Sequence, residues 1–139
     1  MANTIDMQLM RYINLFEKVS GVSTRHCFVY NNIIIFAVPF QKVSVAVGKN
    51  GQKAKKLAEI LSRRVKVIAL PNGEEDLERF VSDIVEPSSF NKIDVHDGMV
   101  TISAGRQNKA ALIGRNRARE QELESILRNS FNIKKLRIL

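Results

Sequence analysis

Two short segments of this chain combine glycine, asparagine and a cation in a pattern suited to holding phosphate. Gly48-Lys49-Asn50-Gly51 follows Val47, and Gly114-Arg115-Asn116-Arg117 follows Ile113. Glycine lacks a β-carbon, so it allows a tight turn and lets backbone approach a phosphate closely. A helix beginning near Gly51 would point its unpaired amides at the turn, and such a terminus attracts anions. Lys49 adds a mobile positive charge, while Lys53, Lys55 and Lys56 extend the field along the following helix. The second segment keeps the first glycine and replaces the last with Arg117.

The charge is focused around these segments. The chain carries 22 Lys and Arg against 14 Asp and Glu over 139 residues, a formal net charge of +8. A basic balance favours a polyanionic partner without informing on fold. Between Val47 and Lys66 stand Lys49, Lys53, Lys55, Lys56, Arg63, Arg64 and Lys66, with Glu59 the single acid. Between Gly105 and Arg119 stand Arg106, Lys109, Arg115, Arg117 and Arg119 with no acid. The intervening Glu74 to Glu86 holds Glu74, Glu75, Asp76, Glu78, Asp83 and Glu86, with Arg79 alone on the other side. That acidic stretch reads first as a solvated helix face, with a protein-docking helix as the alternative. The basic segments read as a nucleic-acid footprint.

Both segments belong to an internal repeat, visible when the sequence is shifted by 66 residues. Asn31-Asn32 then meets Asp97-Gly98, and Ile33, Ile34 and Phe36 meet Met99, Val100 and Ile102. Ala46 through Gly51 meets Leu112 through Arg117, and Leu57, Ile60 and Leu61 meet Leu123, Ile126 and Leu127. The turn-forming Pro71-Asn72-Gly73 marks the seam, so two domains are expected, 1–71 and 72–139.

Each copy shows the same order of elements. Asn3-Thr4 can cap a helix carrying Ile5, Leu9, Ile13 and Phe16 at helical spacing; Leu77, Phe80, Val81 and Ile84 do likewise before Pro87. Strands follow at Cys27 to Tyr30 and Ile33 to Val38, then at Ile93 to Val95 and Val100 to Ser103. Asn-Asn and Asp-Gly suit the positive φ of two-residue hairpins. A short helix, the glycine loop and a longer helix come next. Closing strands lie at Val65 to Leu70 and Ile133 to Leu139. The order is αββααβ, twice: an α+β chain.

Val47-Gly48-Lys49-Asn50-Gly51 resembles the I/V-G-x-x-G signature of KH domains, and the element order resembles their type II variant. Two such units, running from about Ile5 to Ile138, resemble the short archaeal form of the NusA transcription factors. The resemblance implies two tandem type II KH domains, each with a three-stranded mixed sheet covered by helices on one face. It also implies single-stranded RNA as partner, with the loop clamping about four nucleotides of backbone and bases lying in an apolar groove. Val43, Ala46 and Val47 are candidates for that groove wall. The RNA-contacting set expected is Val47, Gly48, Lys49, Asn50, Gly51 and Lys53, with Ile113, Gly114, Arg115, Asn116 and Arg117 in the second copy. There, two outcomes stay open. Arg117 either forces the loop away from the sugar-phosphate chain, or joins Arg115 as a phosphate fork.

Enzymatic chemistry is not expected, nor a cofactor, a metal or a small-molecule substrate. Gly48 to Lys53 departs from G-x-x-x-x-G-K-[ST], since Gly51 comes too early and no Ser or Thr follows the lysine. His26 and Cys27 are neighbours on a predicted strand and face opposite sides, a surface imidazole and a core thiol. His96-Asp97 sits at a hairpin turn without a nucleophile in sequence. The longest apolar run, Ile33 to Pro39, is far short of the roughly 20 residues of a membrane helix, so a cytoplasmic protein is the default. Seven Phe, two Tyr and no Trp, mostly at apolar-patterned positions, argue against an aromatic base-stacking sheet. Three functions follow: a NusA-like factor that binds nascent RNA in termination or elongation; a KH protein of ribosome assembly or translation; or an interaction protein whose KH folds are structural. RNA polymerase enters as a partner through the resemblance alone. That form of the family lacks the polymerase-binding N-terminal region and S1 domain of the bacterial protein.

Overall fold

Both hairpins turn where the sequence offers residues that tolerate a left-handed backbone. In the computed structural model, which describes residues 4–139, β1 (His26–Tyr30) and β2 (Ile33–Val38) are joined by Asn31 at φ 53° and Asn32 at φ 64°. β4 (Lys92–His96) and β5 (Met99–Ser103) are joined by Asp97 at φ 51° and Gly98 at φ 78°. Positive φ at both central residues matches the right-handed strand twist, so each hairpin closes without splaying.

The hairpins are preceded and followed by helices in the same order. The first unit runs α1 (Thr4–Ser20), β1, β2, α2 (Val43–Val47), α3 (Gln52–Leu61) and β3 (Val65–Ala69). The second runs α4 (Leu77–Val85), β4, β5, α5 (Arg106–Ile113), α6 (Ala118–Phe131) and β6 (Lys135–Ile138). A 3-10 turn at Phe40–Lys42 leads directly into α2, so Phe40–Val47 matches the length of α5. Asn3, expected with Thr4 to cap α1, lies outside the described residues. Compact units span Met1–Leu70 and Pro71–Leu139, which puts Pro71 with the second unit, one residue from the expected seam.

Each sheet is mixed. β1 pairs antiparallel with β2 and β2 parallel with β3, in the order β1-β2-β3. β4, β5 and β6 repeat that arrangement. In the first unit Cys27, Ile34, Phe36 and Val38 share one sheet face and pack with Tyr12 and Phe16 of α1, Ala46 of α2 and Leu57 of α3. The Phe16 and Phe36 rings stack with centroids 4.3 Å apart. This face is the helix-covered side. Ile33, Ile35 and Ala37 point the other way and are also buried, so β2 is apolar on both faces. The second sheet alternates instead. Val100 and Ile102, paired with Val95 and Ile93 on one side and Leu136 and Ile138 on the other, form its apolar face. Lys92, Asp94, His96, Lys135 and Arg137 form part of its polar face and are exposed.

The correspondence between the two units is not gapless to the end. α6 has 14 residues where α3 has 10. Val100 pairs with Leu136 as Ile34 pairs with Val65, so the closing strands correspond at a spacing of 71, against 66 for the loops. Each helix nevertheless ends on a left-handed residue, Ser62 at φ 53° and Asn132 at φ 55°.

Some of the charge counted above serves the fold. Arg63 donates to the Tyr12 hydroxyl of α1 at 3.2 Å and to Asn32 Oδ1 in the hairpin turn at 2.5 Å. Arg79, alone among six acids, bridges Asp76 at 2.6 Å and Asp83 at 2.7 Å along α4. Its hydrogen bond, with that of the Asn72 amide, holds the Asp76 carboxyl below the usual range.

Phe36→Ala deletes a fully buried ring and its stacking partner's contact. Urea unfolding followed by far-UV circular dichroism is expected to show a loss of about 4 kcal/mol.

Candidate nucleic-acid interface

The loop after α2 is built by three residues with positive φ. Gly48 (φ 81°, ψ 170°) ends α2, and its amide donates to Ser44 O at 3.0 Å. Asn50 (φ 57°, ψ 26°) and Gly51 (φ 71°, ψ 18°) are left-handed, and the Gly51 amide closes the turn on Gly48 O at 3.1 Å. Helix α3 starts at once, with no side chain capping its first amides. The sequence dictates this geometry because the conformation of Gly48 is open essentially to glycine alone. Asparagine, for its part, tolerates the left-handed region better than most residues.

Crowding separates the two glycines. A β-carbon on Gly48 would lie 2.8 Å from Lys53 Cγ and 3.2 Å from the Lys53 backbone nitrogen. A β-carbon on Gly51 would meet nothing within 4 Å. The first glycine is required by space and by φ; the second by φ only.

The second loop follows the same path. Gly114 (φ 75°, ψ 172°), Asn116 (φ 56°, ψ 28°) and Arg117 (φ 64°, ψ 21°) differ from their counterparts by a few degrees. The Arg117 amide donates to Gly114 O at 3.2 Å, as Gly51 does to Gly48. Arginine at this position therefore leaves the loop backbone undisturbed, because the place of its β-carbon is open in the first copy. The side chain is exposed, and its Nε donates to Glu120 Oε1 at 2.6 Å. That hydrogen bond raises the Arg117 pKa still further above its ordinary value.

The lysines do not all stand alike. Lys53 turns inward: its Nζ donates to Ser20 O at the end of α1 (2.9 Å) and to Val45 O in α2 (3.1 Å). Its counterpart Arg119 donates to Ala111 O at 2.9 Å, the same position in α5. Among the described residues, Lys49, Lys55, Lys56 and Arg115 make no side-chain hydrogen bond or ion pair, and all four are exposed. Val47, Gly48, Gly51, Ile113 and Gly114 are half-buried, whereas Asn50 and Asn116 are exposed. The structure brings each loop's residues to one exposed turn, with Lys53 behind the first as its support.

The expected groove wall needs correction. Ala46 is fully buried within the core and Val43 packs against that core, because both face the sheet. The exposed apolar residues here are Val45, at 50%, and Phe40, at 79%. Sequence reasoning passed over Phe40 by treating the aromatics as buried; its place beside Pro39 and before Gln41-Lys42 was the available signal. Cys27 is buried and its thiol is pushed up to about 12 by that burial, while His26 is exposed, as strand alternation requires. No helix among the described residues is long and apolar enough to cross a membrane.

No protein-family model matches the chain. It is similar over most of its length to archaeal NusA proteins. The "Probable transcription termination protein NusA" of Halococcus morrhuae is 24% identical over 133 residues, which cover 94% of each chain. The protein of the same name from Methanococcus vannielii is 28% identical over 116 residues, covering 81% of this chain and 64% of that one. Among solved structures, the crystal structure of APE1850 is similar with a TM-score of 0.64 and 27% identity, covering 96% of this chain and 99% of that one.

Gly48→Ala is expected to cost about 2 kcal/mol, since it meets both crowding and a glycine-only conformation. Gly51→Ala meets only the left-handed penalty, about 1 kcal/mol. Thermal unfolding of the two variants compares them directly; equal losses would undo the distinction.

Proposed function

We propose that this chain is a non-enzymatic, single-stranded RNA-binding factor of the NusA kind, with each unit a type II KH domain. The observation that carries the reading is the first loop. An exposed, uncapped helix start sits behind a turn whose backbone only Gly48, Asn50 and Gly51 readily allow, with Lys49 exposed beside it. Amides at a helix start favour a phosphate, and lysine supplies its counter-charge. Lys49, Asn50 and the amides ahead of Gly51 take the backbone, since the Gly51 amide already closes the turn on Gly48 O; Val47 borders the site, and Lys53 holds the loop in place. Ile113, Gly114, Arg115, Asn116 and Arg117 form a second station of the same shape.

A role in transcription is supported by the two relatives named as transcription termination proteins. On this reading the RNA is nascent transcript, bound during termination or elongation, and RNA polymerase is the neighbouring partner. Crosslinked cellular RNA enriched in nascent transcripts supports this; enrichment in ribosomal RNA supports a translation role instead.

The double variant Lys49→Asp, Asn50→Asp tests the grip itself. Circular dichroism is expected to show a folded chain, and anisotropy titration with short RNA a loss of at least about tenfold in affinity, since phosphate contacts dominate binding. Wild-type log affinity should fall with log salt by roughly 0.7 per neutralised phosphate. A folded double variant that binds normally rejects the mechanism.

A further inference from the structure

Glu120, together with Arg117, distinguishes the second loop electrostatically from the first. It corresponds to Ala54 at the spacing of 66, and both are third in their helices. In the first copy that place holds a methyl group. In the second it holds a carboxylate whose side chain is 11% exposed, 2.6 Å from Arg117 Nε. A glutamate at this point of a helix reaches back toward its start, where the dipole stabilises negative charge. Glu120 and Arg117 also line one cavity of about 320 Å³ with Lys135, Leu136 and Arg137 of β6.

We infer that Glu120 is an internal counter-ion that holds Arg117 and keeps the second loop's affinity for the RNA backbone low, making the two units unequal. The inference rests on the RNA-binding reading above. A phosphate arriving at this helix start meets a carboxylate already there, and like charges brought together disfavour binding. Arg117 already has its Nε held and its charge partly offset by Glu120 before RNA arrives, so a phosphate that takes its remaining donors also meets that carboxylate. Arg115, without such a partner among the described residues, remains the cation available. The first loop meets no such competition, because Ala54 carries no charge and Glu59, the one acid in its basic segment, lies further along α3.

The test uses the full chain with the first loop disabled by Lys49→Asp and Asn50→Asp, so that residual RNA binding reports the second. Adding Glu120→Ala, the residue of the first copy, is expected to raise affinity for a short single-stranded RNA at least about tenfold at low salt. It should also steepen the salt dependence by roughly 0.7, one further phosphate. Glu120→Gln keeps the shape and a hydrogen-bond acceptor without the charge, and is expected to raise affinity in the same direction even where the alanine variant folds poorly. Unchanged or weaker binding by folded Glu120→Gln overturns the inference while wild-type binding leaves the RNA reading intact. A wild-type chain that does not bind RNA at low salt overturns both.

Discussion

The reversal between α2 and α3 depends on one buried-side interaction, the Lys53 ammonium shared by Ser20 O and Val45 O. Both carbonyls lie in the last turn of a helix, where a cation is favoured by the dipole. The same side chain passes close under Gly48, which is why no β-carbon fits there. The charge that looks in sequence like part of a binding surface therefore holds three helices in place. With that support the loop can stay open and left-handed at its exposed edge, leaving Lys49 outward. Arg119 repeats the half of this brace that reaches the preceding short helix, at Ala111 O under Gly114.

The two units share backbone where their side chains differ. The two loops share dihedral angles within a few degrees although one ends in glycine and the other in arginine. A side chain fits there because the Gly51 position has open space, whereas Gly48 and Gly114 have none. In its left-handed position Arg117 has the carboxylate of Glu120 as partner for its charge. The sheets diverged in a parallel way. β2 is apolar on both faces, whereas β5 alternates as in a sheet with one polar side.

Much of the architecture was legible because it follows from local rules. Hairpins at Asn31-Asn32 and Asp97-Gly98 follow from tolerance of positive φ, and helices from apolar residues at helical spacing. The repeat of 66 residues exposed the duplicated loops, yet its slip to 71 after α6 was hidden, since a longer helix changes no local pattern. In the site, Gly48 and Lys49 could be read from type and spacing. The inward turn of Lys53 could not, because it depends on α1 coming within reach 33 residues away in sequence. Ala46 and Val45 show the same limit: neighbours on a five-residue helix, one buried and one exposed according to which faces the sheet.

By itself, then, the sequence determined where the chain can reverse. Glycine, asparagine and aspartate adopt the required φ most cheaply, and no distant contact is needed to say so. It also determined that positive charge gathers at those reversals. Only the tertiary structure decided which charges remain outward. Lys53 and Arg119 spend theirs on helix-end carbonyls, Arg63 on a tyrosine and a turn, and Arg117 on Glu120. Lys49 and Arg115 are left exposed at the tips of the two loops. A side chain's partner is set by what the fold brings within hydrogen-bond distance, and residue type does not record that.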